Sequence, residues 1–207
     1  MNHNIFRFFK IGLTSLLLTF LIISNVFAET KKEKATLSGG CFWSMEALFQ
    51  RLNGVISVEP GYAGGHVKSP TYDEVCEGNT GHAESVQVTF DANVISYQKI
   101  LEVFWKVHNP TTLSRQGADE GTQYRSVVFF HNKKQKEIAE KSKVEIYKSG
   151  FWGNLPIVTE ITPFTNFYKA ENYHKNYYNN HTEQGYCVAV IEPKITKLKL
   201  HFRNLLK

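Results

Sequence analysis

Apolar positions recur along the chain with a period that changes from one segment to the next, separated by glycine-rich breaks. Ala35-Thr36-Leu37-Ser38 reads as a brief strand stopped by Gly39-Gly40. Phe42, Met45, Leu48, Phe49 and Leu52 then fall at helical spacing, which predicts a helix over Cys41–Leu52 ended by Asn53-Gly54. A second strand over Val55–Val58 runs into the Gly/Pro-rich stretch Pro60–Pro70, and the chain as far as Gly81 is expected to be one long loop. Glu84-Ser85-Val86-Gln87-Val88-Thr89-Phe90 alternates cleanly and predicts a strand. Tyr97, Ile100, Leu101, Phe104 and Val107 predict an amphipathic helix that stops before Asn109-Pro110. A loop over Thr111–Gly121, a strand over Arg125–Phe130, a Lys/Glu-rich helix over Lys133–Lys148 and a last strand over Ile157–Ile161 follow. The remainder is dense in Asn and Tyr, with a short helix expected near Phe167–Tyr177.

From Ala35 the order is β-α-β-β-α-β followed by extra C-terminal elements. That order predicts an α+β fold, a ferredoxin-like split β-α-β plait with its helices on one face and long functional loops. No internal repeat divides it, so residues 29–207 are read as a single domain.

The first 28 residues read as an address. Arg7 and Lys10 precede an uncharged run from Ile11, and Val26-Phe27-Ala28 ends it with small residues before Glu29, the layout of a secretory signal peptide. The protein is therefore expected to be exported, to a periplasm, with no membrane attachment once the signal is cut. The rival reading is an uncleaved anchor, because Ile11–Ala28 is 18 uncharged residues long.

Composition adds mainly exclusions. A chain of 207 residues that is 42% hydrophobic and 21% charged is neither collagen-like nor a coiled coil nor largely disordered. The net charge of +5 is mild and scattered, so nothing calls for nucleic acid. Three cysteines, Cys41, Cys76 and Cys187, are too few for a disulfide scaffold, and no C-x-x-C forms a redox loop or zinc ribbon. No metal site is expected.

Cys41 opens the first helix. Amide groups and the dipole at a helix N-terminus are expected to favour its thiolate and lower its pKa. Glu84 lies at the end of a strand face completed by Val86, Val88 and Phe90. A carboxyl so placed is partly desolvated and is expected to stay protonated near neutrality. His82 could suggest a Cys/His hydrolase, but it stands outside any protease signature and is read as structural.

Gly40-Cys41-Phe42-Trp43 with Glu46 resembles the signature of the peptide methionine sulfoxide reductases, in the A class that acts on the S-epimer. Gly61–Gly65, Pro70–Cys76, Gly81–Glu84, His108–Thr112, Gly121–Ser126, Phe167–His174 and Gly185–Cys187 resemble further blocks of that family, in order. The resemblance spans Thr36–Cys187. It implies Cys41 as nucleophile, Glu84, Tyr72 and Tyr124 around the sulfoxide oxygen with Asp119 nearby, and Phe42 and Trp43 receiving the methyl group. It implies Cys187 as the resolving thiol, suited to that role by its flexible-looking C-terminal segment. Cys76 is a bystander or an alternative partner. No cofactor is implied. A thioredoxin-like reductant, oxidised proteins or peptides as substrate, and a monomeric enzyme are. The chain departs from the family pattern at Ser44, where Gly is usual, and at Lys175, where Gln is common. Two other readings remain open: a Cys hydrolase, and a non-catalytic module gripping an apolar ligand around a structural Cys41–Cys187 disulfide.

Overall fold

The computed structural model describes residues 29–207, and the signal-peptide and anchor readings lie outside them. The elements run β1 (Lys32–Gly39), α1 (Phe42–Phe49), β2 (Val55–Ala63), α2 (Tyr72–Cys76), β3 (Ala83–Asp91), α3 (Tyr97–Val107), β4 (Arg115–Gln116), β5 (Asp119–Glu120), β6 (Ser126–Phe130), α4 (Lys133–Lys148), β7 (Glu160–Pro163), β8 (Phe167–Lys169), α5 (Tyr177–Asn180) and α6 (Glu192–Phe202). The fold is α+β. Six strands form one mixed sheet in the order β7-β6-β1-β3-β2-β8, and β4 pairs with β5 in a separate two-stranded ribbon.

The alternating strand is the centre of the sheet. β3 pairs antiparallel with β1 on one side and β2 on the other. Val86, Val88 and Phe90 are fully buried on its helix-facing side with Ala35 and Leu37 of β1. Met45, Leu48 and Phe49 of α1, and Ile100, Leu101 and Phe104 of α3, complete that core. The opposite face has a smaller cluster of Ala63, Val127 and Phe129, against which Phe164 and Phe167 pack.

Several boundaries differ from the expectation for identifiable reasons. Lys32 to Lys34 are part of β1, because the long β3 supplies ladder partners as far as Lys32↔Asp91. Pro60 and Gly61 belong to β2, flanked by β3 and β8. A Cβ on Gly61 would lie 2.3 Å from the Tyr168 carbonyl, so the glycine there permits close strand approach and does not mark a turn. At the opposite edge, the strand expected over Ile157–Ile161 is Glu160–Pro163, parallel to β6. Phe167–Lys169 is a strand where a helix was expected; a 3₁₀ turn over Asn172–His174 and the short α5 follow. The C-terminal helix α6 was not anticipated. Its Ile195, Leu198 and Phe202 are buried in the main core. Among the described residues no helix is long and apolar enough to cross a membrane.

Candidate active site

β1 delivers the chain to Gly40, where φ is +86° and a Cβ would meet the Gln116 side chain at 2.4 Å. Only glycine makes this turn without strain. It places Cys41 at the head of α1, 6% exposed, with the Trp43 amide and the Tyr186 hydroxyl against its sulfur. The thiolate expectation is overturned here. Burial first, and the Glu84 charge second, push the thiol up to about 12. The Tyr186 hydroxyl, the Trp43 amide and Lys194 oppose that shift without cancelling it. The Phe42 amide, a free donor of the first helical turn, donates to Glu84 Oε2 at 2.9 Å instead of serving the sulfur.

Glu84 lies on β3 and is 1% exposed. Burial raises its carboxyl to about 8, assisted by Asp119 and opposed by the Phe42 amide. At neutral pH it therefore holds a proton beside the Cys41 thiol, as its place on an apolar strand face suggested.

Tyr72 opens α2, a one-turn helix fixed by a capping box between Thr71 and Glu74. Its amide donates to Glu171 Oε1 at 2.9 Å, and its hydroxyl lies beside the Cys76 thiol. Tyr124 closes the 3₁₀ turn Thr122–Tyr124. Burial and the Glu84 charge raise both phenols, so each remains an O–H donor across the neutral range. Asp119, on β5, accepts the Tyr186 hydroxyl at 2.7 Å and thereby fixes that ring over Cys41.

Phe42 and Trp43 form an aromatic wall. The Phe42 and Tyr72 rings stand 6.4 Å apart and nearly parallel. Trp43 stacks on Tyr177 at 3.6 Å and 6°, donates from Nε1 to His174 Nδ1 at 3.0 Å, and meets Tyr186 edge-on. The next turn of α1 secures this layer. Glu46 accepts the Asn176 amide at 2.9 and 3.1 Å, and Gln50 bonds both Glu46 and the Asn176 side chain.

All three cysteines are free thiols. No disulfide joins them in this structure. Cys187 differs from expectation: it is not on a flexible loop but fully buried at the start of a π-helical stretch, Cys187–Ile191, that runs into α6. It directly follows Tyr186, the residue that touches Cys41, so its own thiol is one residue away from that contact. π-Helical turns are rare and are frequently found at functional sites. Cys76 is exposed at the rim beside Tyr72.

The hydrolase reading lacks its base. His82 Nδ1 accepts the Gly65 amide and its Nε2 donates to the Val67 carbonyl, so it ties down the loop after β2. His108 bonds Phe104 and Ser126, and His174 bonds Trp43. Among the described residues no histidine is one of the groups acting on Cys41. Among the described residues no cluster of three or more His, Cys, Asp or Glu could hold a metal ion.

The structure thus gathers Cys41, Glu84, Tyr72, Tyr124, Asp119, Phe42 and Trp43 in one place and adds Tyr186, His174, Tyr177 and Lys194. Tyr186 had a local signal, its place next to Cys187. His174 closed the block Phe167–His174 that resembles the family, whereas Tyr177 and Lys194 arrive through long-range packing and had no signal.

Comparison with known proteins agrees with the geometry. Residues 33–205 match the model of the family "Peptide methionine sulfoxide reductase". The peptide methionine sulfoxide reductase MsrA of Saccharolobus solfataricus is 52% identical over 175 residues, 84% of this chain and 97% of that protein. Reduced Mxr1 from Saccharomyces cerevisiae has a similar structure, with a TM-score of 0.69 at 35% identity over 75% of this chain and 89% of that one. The methionine sulfoxide reductase A of Corynebacterium diphtheriae gives 0.65 at 33% identity over 72% and 75%. The chain therefore belongs to the peptide methionine sulfoxide reductase family, among its MsrA members, and is a peptide-methionine (S)-S-oxide reductase.

Proposed function

We propose that Cys41 removes the oxygen of methionine-S-sulfoxide and that Cys187 then clears the oxidised sulfur. The observation that carries this reading is a protonated, buried Glu84, held by the Phe42 amide, acting on the buried thiol of the preceding residue, Cys41. The S–O oxygen leaves poorly unless it receives a proton, and Glu84 is positioned to give one while Tyr72 and Tyr124 donate to the same oxygen. Phe42 and Trp43 hold the methyl group. The thiol and the sulfoxide become a sulfenic acid on Cys41 and methionine; the oxygen moves to the cysteine sulfur, which is oxidised by two electrons as the methionine sulfur is reduced. Cys187 then attacks the sulfenic sulfur, forming a Cys41–Cys187 disulfide and releasing water.

A dithiol of the thioredoxin class returns the disulfide to two thiols by exchange, which takes no cofactor. The inner strands β6-β1-β3-β2, read as a split β-α-β plait widened by β7 and β8, hold Cys41 and Glu84 rigid while the helical C-terminal segment carries Cys187. We place the enzyme outside the cytoplasm, where it repairs oxidised exported proteins, on the strength of the Arg7–Ala28 pattern. Incubation with a racemic methionine sulfoxide peptide and dithiothreitol, followed by chiral chromatography, tests the substrate. Only the S-epimer should disappear. Consumption of the R-epimer, or of neither, would overturn the assignment.

A further inference from the structure

Cys41 is buried among groups that oppose its ionisation, and the sequence offers no cation within its own helix to help it. The cation comes from α6. Lys194 reaches back across the core and donates from Nζ to Ser44 Oγ at 3.3 Å. Ser44 is fully buried in the first turn of α1, and its amide donates to the Cys41 carbonyl.

This is an unfavourable place for an ammonium on backbone grounds. The N-terminal end of a helix carries partial positive charge and repels a cation. Burial adds a desolvation cost, and it pushes the Lys194 ammonium below the ordinary lysine value. What compensates is negative charge: a Cys41 thiolate and Asp119 both pull its pKa back up. Asp119 already accepts the Tyr186 hydroxyl. Asp119 thus has a hydrogen-bond donor of its own, and of the two anions the one on Cys41, which forms during attack, acts more strongly on Lys194.

We propose that Lys194 is a charge-setting residue for the nucleophile, anchored on Ser44 so that its ammonium favours the Cys41 thiolate as it forms. The pair Ser44–Lys194 therefore acts as one device, with the side chain that receives the lysine supplied by α1 and the charge supplied by the segment that also carries Cys187. The inference rests on Cys41 being the nucleophile, but not on the identity of its substrate. The other titratable groups acting on the sulfur are Glu84 from β3, Tyr124 from its 3₁₀ turn and Tyr186 from the helical turn before Cys187, with Asp119 of β5 behind Tyr186.

The test is the rate of Cys41 alkylation by iodoacetamide from pH 6 to 10, without sulfoxide, read on the Cys41 peptide by mass spectrometry so that Cys76 and Cys187 do not contribute. Lys194→Met should slow alkylation at pH 8 by about tenfold, the effect of one pKa unit, and move the profile to higher pH. Lys194→Arg should restore most of the rate, and Ser44→Ala, which keeps the charge but frees it, should fall between. Should Lys194→Met fail to fold, judged by its melting temperature, the Arg and Ser44→Ala profiles decide. Profiles of Lys194→Met or Ser44→Ala that overlay the wild type overturn the proposal, as does an Arg variant as slow as Met, which would mark a packing role. Failure of the reductase reading would look different: the alkylation shift would stand while no sulfoxide is consumed.

Discussion

Cys41→Ser should abolish sulfoxide reduction, lowering kcat/KM by about 10⁴-fold or more, because a hydroxyl can neither attack the sulfoxide sulfur nor carry the oxygen away as a sulfenic acid. The size of the loss follows from the site's construction. Cys41 is the sulfur that contacts the Tyr186 hydroxyl and shares the Phe42 turn with Glu84, whereas Cys76 is out at the rim and Cys187 is sealed in a π-turn. Neither can stand in for it. Exchanging Oγ for Sγ is nearly isosteric, so the variant should fold and keep its melting temperature within a degree or two, which separates lost chemistry from lost structure. Steady-state kinetics with dithiothreitol measures it.

The second large effect concerns the proton. Glu84→Gln should lower the rate of methionine formation by about 10²–10⁴-fold, the usual contribution of a positioned acid. Its pH dependence gives a sharper criterion. A carboxyl raised to about 8 by burial is a competent acid below that pH and loses its proton above it. Single-turnover rates for the wild type should therefore fall as pH climbs through about 8, and the falling limb should vanish in Glu84→Gln. Control by thiolate formation has the opposite sign: with Cys41 pushed up to about 12, the rate would keep climbing with pH throughout the accessible range. Stopped-quench measurement of methionine between pH 6 and 10 distinguishes the two.

The parts of this molecule that could be read from sequence are those in which local pattern and global packing agree. Val86, Val88 and Phe90 alternate on β3 because one face meets the helices, and Glu84 shares their face, so its burial and raised pKa were legible together. The helix from Tyr97 to Val107 was legible from its apolar stripe, and the structure adds a Ser96 cap. What failed was local inference about residues whose setting is tertiary. Pro60 and Gly61 signal a turn, yet a strand on each side makes them ladder members. Cys41 at a helix N-terminus suggests a stabilised thiolate, yet burial outweighs one turn of aligned amides. In the tail, Ile191, Ile195, Leu198 and Phe202 do have helical spacing, but the lysines between them obscure it. Only the packed helix reveals that Lys194 returns to the active site.

The most direct test of the account is a single turnover in the absence of reductant. Reduced protein, mixed with excess methionine-S-sulfoxide peptide, is quenched in acid, and both methionine and the proteolytic peptides are quantified by mass spectrometry. The account requires one methionine per chain and a Cys41–Cys187 disulfide in equal amount, with Cys76 still a free thiol, even though Cys187 must leave its buried π-turn to form that bond. Methionine released with Cys41 unchanged, or with Cys41 joined to Cys76 while Cys187 remains reduced, would contradict it.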